Sequence, residues 1–332
     1  MSQKLIDVCV VGATGLVGST MLKVLEEYDF PVGRLKPLAS ARSAGKKNSF
    51  KGQEYTVEEL TEDSFDGYEL ALFSAGAGVS GTFAPIARAR GLLVVDNSSR
   101  WREDAALPLI VPEINLEDAT KNRLIANPNC STIQSVLPLK ALQDAFGLKK
   151  VHYATYQAVS GSGQKGVDDL RRTKAGEAPQ FYPHNISLTA IPEIDVFLED
   201  GYTKEERKME NETRKILHLP ELPVSATCVR VPVENAHGVE ISVTLDKAFT
   251  LDAVRDVLAA FPGIVVVDNG ATHDYPVSPL ATGNDSVYVG RLRRDTAEEN
   301  GLLLYTVADN IRKGAAANAV QIAQALLVVA HD

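Results

Sequence analysis

Cysteine is scarce in this chain, with only Cys9, Cys130 and Cys228 among 332 residues. So small and odd a set cannot make a disulfide framework, and it fits a reducing cytoplasm. Basic residues are in deficit too. Lys and Arg number 34 against 43 Asp and Glu, and the net charge of −9 argues against a nucleic-acid or anionic-membrane surface. No apolar run is long and clean enough to span a bilayer. The most apolar late stretch, Ala315 to Ala330, carries Asn318, Gln321 and Gln324 and reads as a core helix. The chain enters a strand-like run almost at once, without a signal-peptide layout. It shows no internal repeat and no low-complexity segment, and no metal site is expected. What remains is an ordinary globular composition, 45% hydrophobic and 23% charged, long enough for two domains.

The first run, Leu5 to Val11, is nearly continuous in apolar and β-branched residues, as in a parallel strand buried on both faces. It passes into Gly12-Ala13-Thr14-Gly15-Leu16-Val17-Gly18 and then a helical pattern through Met21, Leu22, Val24 and Leu25. Glycines in such a turn let the backbone approach a pyrophosphate at the helix N-terminus, although alone they could serve only packing. The next strand, Arg34 to Ala39, ends in Ser40-Ala41-Arg42-Ser43. An NAD site would place an acid there for the ribose 2′-hydroxyl. Serine and arginine instead suit the 2′-phosphate of NADP, unless the loop is merely solvated. Leu70 to Phe73, the loop Ser74-Ala75-Gly76, a helix to Arg90 and a strand Leu92 to Val95 repeat the pattern. Together they predict a doubly wound parallel sheet. Arg102, on the loop after Asp96, is either a surface charge or an anion clamp.

The central stretch is Leu124 to Ala126, a short strand, followed by Asn127-Pro128-Asn129-Cys130-Ser131-Thr132. The turn chemistry of Asn-Pro-Asn precedes a helical spacing that runs to about Ala145, with Asn129 or Ser131 as N-cap. Cys130 is thereby expected at the positive end of a helix, where a thiol loses its proton more readily. The plain alternative is a buried structural cysteine. Beyond it the pattern turns to α+β, with strands expected over 151–159, 225–233, 239–245, 264–268, 286–292 and 302–308. Thr203 with Glu206 is a capping box opening a helix to Leu217, and its Glu205 and Lys208 read locally as a solvated salt-bridged pair. Cys228 to Val239 reads as hairpin-like, with His237 in a turn and available as the base a reactive thiol needs. Asp309-Asn310 is expected to start a terminal helix from Ile311 to about Val329, with small residues from Gly314 to Ala317 for close packing on the first domain.

With these pieces the chain resembles the bacterial-type aspartate-β-semialdehyde dehydrogenase family over nearly its whole length. The resemblance rests on the glycine loop, Asp96-Asn97-Ser98-Ser99, the Asn129-Cys130-Ser131-Thr132 block and Tyr156 to Gly161. It continues through Glu205 to Lys208, Arg230 to Val233 with His237, and Asp309 to Gly314. One departure is Gly238, where the family often has Ser. The resemblance implies a Rossmann-type NADP-binding domain, residues 1–129, completed by the helix 310–332. It also implies an α+β catalytic and dimerisation domain, residues 130–309, of the glyceraldehyde-3-phosphate-dehydrogenase-like kind. Its implied reaction is reversible, NADPH-dependent reductive dephosphorylation of aspartyl phosphate to aspartate semialdehyde, on the way to lysine, threonine, methionine and isoleucine. Catalysis would fall to Cys130, His237 and Gln157. Arg230 and Glu205 would hold the substrate carboxylate and ammonium, and Arg102, Lys208 and Asn129 the phosphate. The cofactor would meet Gly12, Thr14, Gly15, Leu16, Val17, Ser40, Arg42, Ser74, Ala75, Gly76, Ser160, Gly161 and Asn310. A homodimer or dimer of dimers is implied. Two rivals stay open: another thiol-dependent enzyme such as N-acetyl-γ-glutamyl-phosphate reductase, and a non-catalytic dinucleotide-sensing oligomer.

Overall fold

The computed structural model describes residues 4–119 and 122–328, and the chain separates into two compact units, Met1–Pro128 with Ala315–Asp332, and Asn129–Gly314. In the first unit, β1 (Ile6–Val11) leads through the glycine loop into α1 (Leu16–Glu27), and β2 (Val32–Ala39) follows. A small hairpin of β3 (Lys47–Phe50) and β4 (Gln53–Thr56) and the short β5 (Glu58–Glu59) come next. Then come β6 (Leu70–Phe73), α2 (Ala77–Ala89), β7 (Leu93–Asp96), α3 (Pro112–Asn115) and β8 (Leu124–Ala126). The sheet runs β5-β2-β1-β6-β7-β8, with every pairing parallel. Strand order reverses between β1 and β6, so the loops after these two strands meet at the switch point where such sheets bind ligands. Apolar side chains cover both faces. Val8, Val10 and Leu72 pack with Met21, Leu25, Val320 and Ile322, while Cys9, Val11 and Phe73 pack with Ala84 and Ala87.

The second unit opens with α4 (Cys130–Phe146), β9 (Leu148–Gln157), α5 (Gln164–Lys174) and α6 (Lys204–Ile216). It continues through β10 (Val224–Arg230), β11 (His237–Leu245), α7 (Leu251–Ala260), β12 (Ile264–Val266), α8 (Ser278–Ala281), β13 (Val287–Arg294) and β14 (Gly301–Ala308). Its mixed sheet has the order β10-β9-β11-β14-β13-β12. The Rossmann-type sheet plus α+β domain expected from the sequence is the observed fold class. A last helix, α9 (Ala317–Leu327), lies in the first unit's core. Among the described residues no helix is long and apolar enough to cross a membrane.

Three expectations need correction. The stretch 228–239 is not a hairpin: β9 lies between β10 and β11, parallel to the first and antiparallel to the second. His237 is not in a turn but is the fully buried first residue of β11. The terminal helix does not run on from Ile311. Arg312–Ala316 is a π-helical turn and the α-helix begins at Ala317, while the expected end at Val329 lies outside the described residues.

The glycine loop is governed by contact as much as by conformation. Gly12 has φ +83°, a region that L side chains avoid. A Cβ at Gly18 would lie 2.1 Å from the Gly12 carbonyl oxygen, so the third glycine is what lets α1 lie against the loop. Gly18→Ala is therefore expected to destabilise the protein by about 1–3 kcal/mol, the usual cost of overpacking, read as a lower urea midpoint. An unchanged midpoint would mean that the loop has room it does not show.

Candidate active site

Five side chains gather at one end of the mixed sheet. β9 and β10 run parallel and end level, with Gln157 paired to Arg230. The antiparallel β11 starts there, Gly238 opposite Tyr156, which puts His237 on the same face as Gln157. Helix α6 packs over this face. Glu205, on its first turn, is buried, and Lys208 lies one turn on.

Cys130 is the first residue of α4, and Asn129 is its N-cap, accepting from the Ser131 and Thr132 amides at 2.9 and 3.3 Å. Either residue was open as the cap on sequence grounds; the side chain of Asn129 takes the role. The same amide group donates from Nδ2 to Glu205 Oε1 at 2.9 Å, and the Asn129 backbone N–H donates to Glu212 at 2.6 Å. The helix start is thus tied to two buried carboxylates of α6. The other two thiols are buried, whereas Cys130 is partly exposed. Burial pushes Cys9 up to about 12, and Cys228 is also driven up, by burial first and then by the Glu205 charge.

Glu205 and Lys208 are not the solvated pair expected from local spacing. Burial of Glu205 favours its protonated form, but Lys208, the Asn129 hydrogen bond and the Arg230 charge outweigh it, and the net direction is down. Its Oε1 also accepts from Gln157 Nε2 at 3.3 Å, and its Oε2 from Lys208 Nζ at 3.2 Å. Lys208 bonds Asp195 as well, at 2.6 Å. Arg230 donates from Nη1 to the Ala158 carbonyl at 2.6 Å, while its Nε is buried with no hydrogen-bond partner. A buried guanidinium N–H without a partner is costly in the fold alone, and it can take an acceptor from outside the chain.

His237 is equally specific. The Ala158 N–H donates to its Nδ1 at 2.9 Å, so the neutral ring carries its hydrogen on Nε2. Nε2 itself is buried and has no partner. Burial, followed by the Arg230 charge, holds the imidazole well below its ordinary pKa. Gly161 makes this arrangement possible, since a Cβ there would stand 2.8 Å from Arg230 Nη1 and 3.1 Å from His237 Nε2. Gln134, one turn beyond Cys130, donates to the His237 carbonyl at 3.2 Å and so ties α4 to β11.

Ser160 and Asn310 are bonded to each other at 3.0 Å, and Asn310 Oδ1 accepts the Ala236 N–H at 3.0 Å. In the first unit, Thr14, Gly15, Ser40, Arg42 and Gly76 are exposed, whereas Leu16, Val17, Ser74 and Ala75 are partly buried. Gly15 caps α1 with no side-chain bond, which leaves its first amides open to an anion. Arg42 stands in a single 3-10 turn after β2. These residues fit a dinucleotide phosphate. Arg102 is nearly buried and donates to the Asn97 carbonyl at 2.8 Å. The loop holding it is pinned by Asp96, which accepts from Ser80 and from the Ser98 amide. Glu212 and Gln134 were missed by sequence reading. A carboxylate two turns beyond a capping box carries no signal until the opposing helix end is known.

Residues 7–122 match the family model described as semialdehyde dehydrogenase, NAD binding domain, and residues 139–313 the semialdehyde dehydrogenase, dimerisation domain. The fold and site thus define a two-domain semialdehyde dehydrogenase. A curated aspartate-semialdehyde dehydrogenase of Aquifex aeolicus is 53% identical, with 96% of this chain and 97% of that protein covered. The one from Bacillus subtilis is 46% identical, with 97% of each covered. A crystal structure of aspartate semialdehyde dehydrogenase II from Vibrio cholerae, complexed with ASA, superposes with a TM-score of 0.95 at 42% identity, covering 99% of this chain and all of that one (100%). The chain belongs to the aspartate-semialdehyde dehydrogenase family. It is an enzyme, an oxidoreductase of amino-acid biosynthesis with a Rossmann NAD(P)-binding domain.

The lowered His237 pKa sets a stability trend. An unfolded imidazole takes up a proton as pH falls through about 6.5, while the folded one stays neutral. The stability owed to this group is complete above the unfolded value and drains away as pH falls toward the folded one. The denaturation free energy of wild type should therefore drop more steeply between pH 6.5 and 5 than that of His237→Gln, by up to ~1.4 kcal/mol per pH unit. Parallel curves would contradict the buried neutral imidazole.

Proposed function

We propose that the protein catalyses the reversible NADPH-dependent reductive dephosphorylation of L-aspartyl-4-phosphate to L-aspartate 4-semialdehyde through a Cys130 thioester. The observation that carries this reading is the buried pair of opposite charges beside Gln157, Glu205 on α6 and Arg230 on the sheet beneath it. An amino acid with a free ammonium and a free carboxylate needs both. A carboxylate held ionised by its neighbours would meet the ammonium, and a guanidinium fork the α-carboxylate. An N-acetylated substrate offers no cation to Glu205, which disfavours N-acetyl-γ-glutamyl-phosphate reductase. A dinucleotide sensor would have no use for an orphaned Arg230 Nε and His237 Nε2.

In the biosynthetic direction the Cys130 thiolate attacks the acyl carbon and expels phosphate, leaving a thioester. The N–H groups of the first turn of α4 and the His237 Nε2–H would hold the oxyanion that develops. When bound, NADPH supplies the hydride that takes this thioester to the aldehyde level. The sulfur then leaves as thiolate, and the substrate oxygen becomes the carbonyl. His237 meets the site through Nε2, because Nδ1 accepts the Ala158 N–H; the neutral ring would act there as a hydrogen-bond donor to the oxyanion, and collapse to aldehyde and thiolate needs no proton from it. Gln157 would orient the acyl group. Asn129, Lys208 and Arg102 are assigned to phosphate by family resemblance.

For the cofactor we assign Gly12, Thr14, Gly15, Leu16, Val17, Ser74, Ala75 and Gly76 to the pyrophosphate side. Ser40 and Arg42 are assigned to the 2′-phosphate, and Ser160, Gly161 and Asn310 to the nicotinamide end. The domains we infer are 1–129 with 310–332, and 130–309. The protein would serve lysine, threonine, methionine and isoleucine synthesis in the cytoplasm. A homodimer, or a dimer of such dimers, is supported by the outward face of the mixed sheet. There Tyr156 is 44% exposed, and a cavity of about 1120 Å³ is lined by Val277, Tyr305 and Val307 together with Glu240 and Arg293.

The direct test is phosphate-dependent reduction of NADP by aspartate semialdehyde, with N-acetylglutamate semialdehyde beside it. Turnover only with the first is expected; preference for the acetylated substrate would favour the rival enzyme. Arg230→Lys should lower kcat/KM for the semialdehyde by about one to two decades, since one ammonium cannot replace a fork, a difference of roughly 1.5–3 kcal/mol. NADP affinity should hardly change. Wild-type kinetics would remove Arg230 from the substrate site.

A further inference from the structure

The turn after β14 places a glycine against the nucleophile. Asp309 fixes the start of this turn: Oδ1 accepts from the Ile311 and Arg312 amides at 2.9 and 3.0 Å. Its Oδ2 accepts from Asn235 Nδ2 and the Gly283 amide, both at 2.8 Å. Arg312 is clamped to Asp285 by two parallel bonds of 2.8 Å, from Nε and Nη2. The Gly314 N–H then reaches back five residues to the Asp309 carbonyl at 2.9 Å, the bond that defines a π-turn. This wider turn is rarer than an α-turn and is concentrated at functional sites.

Its effect here is to bring the Gly314 backbone onto Cys130. A Cβ at 314 would lie 2.8 Å from Cys130 Cβ and 3.2 Å from Cys130 Cα. Neither atom is the loose end of a flexible side chain, and Cys130 is fixed from behind by the Asn129 cap. A Cβ at 314 must shift either Cys130 or the turn facing it, and with that turn held at Asp309 and Arg312 the displacement falls on Cys130. Interiors as tightly packed as this one pass such a displacement on rather than absorb it.

We propose that Gly314, held by the π-turn, is a positioning residue for the Cys130 nucleophile: by lacking a side chain it lets the thiol stay over the amides of its own helix. The inference rests on the reading of Cys130 as the nucleophile. It concerns where the sulfur is held, which neither the family resemblance nor the site chemistry specifies.

The test is Gly314→Ala in the full-length enzyme, with Gly270→Ala as control, since a Cβ at Gly270 meets nothing within 4 Å. A misplacement approaching 1 Å costs up to about 100-fold, so kcat should fall by roughly 10- to 100-fold. The KM for phosphate and the NADP dissociation constant should stay within about threefold, inside the scatter of individual contacts. The pH midpoint of iodoacetamide alkylation at Cys130 should move upward, because the sulfur leaves the positive end of the helix. The control should match wild type throughout. A folded Gly314→Ala enzyme with wild-type kcat and alkylation midpoint overturns the inference. If that variant does not fold, Asp285→Asn loosens the clamp without adding an atom at 314. A smaller kcat loss with the same upward midpoint supports the inference, and no change in either overturns it. Failure of the underlying reading looks different: Cys130→Ser would keep turning over.

Discussion

The cap at Asn129 is the contact on which the rest of the catalytic unit depends. One side chain and one backbone N–H make four bonds. Oδ1 takes the Ser131 and Thr132 amides, Nδ2 reaches Glu205, and the backbone N–H reaches Glu212. The first pair fixes where α4 begins and so which residue occupies its first position. The second pair locks that start to α6, the helix that supplies Glu205 and Lys208. Buried polar groups are costly unless satisfied, so these bonds admit one arrangement of the two helices and penalise its neighbours. The proposed nucleophile Cys130 and the buried Glu205 carboxylate are therefore both placed by a single residue.

Charge then does what packing alone could not. Lys208 and Arg230 lie close enough to act on Glu205, which stays ionised against its burial. Arg230 also bears on His237, where it adds to burial in keeping the imidazole neutral. One guanidinium thus bears on both the carboxylate and the histidine beside it. Gly161 permits the approach of Arg230 to His237, because any Cβ there would strike both side chains. Gly161 and Gly314 are places where backbone comes up against site side chains. At Gly238, where the resemblance led us to expect serine, a Cβ would sit 1.9 Å from the Tyr305 hydroxyl.

Much of the fold was legible because its signals are local. Strand runs such as Leu70 to Phe73 carry their own burial, and the Thr203–Glu206 capping box forms as its spacing requires. What could not be read was whatever depends on a third element. Cys228 to Val239 has the composition of a hairpin, but β9 pairs between its two halves, and no local pattern encodes an inserted strand. Glu205 and Lys208 have the spacing of a surface pair; only the mixed sheet beneath α6 makes that face interior. The small hairpin at Lys47–Thr56 went unread although Lys51 and Gly52, both with positive φ, form its turn. The π-turn was likewise taken for plain helix, since its extra residue leaves the apolar spacing almost unchanged. The residue types of the site were visible in sequence, whereas Gly161 and Gly314 owe their importance to distances alone.

The central claim is that Cys130, seated by the Asn129 cap, carries the acyl group. It is tested most directly by mixing the enzyme with aspartyl phosphate in the absence of reduced cofactor, quenching in acid, and mapping the adduct by peptide mass spectrometry. The account predicts an aspartyl thioester on the peptide containing Cys130, with Cys9 and Cys228 unmodified. An adduct on either buried thiol, or phosphate release with no covalent adduct, would contradict it.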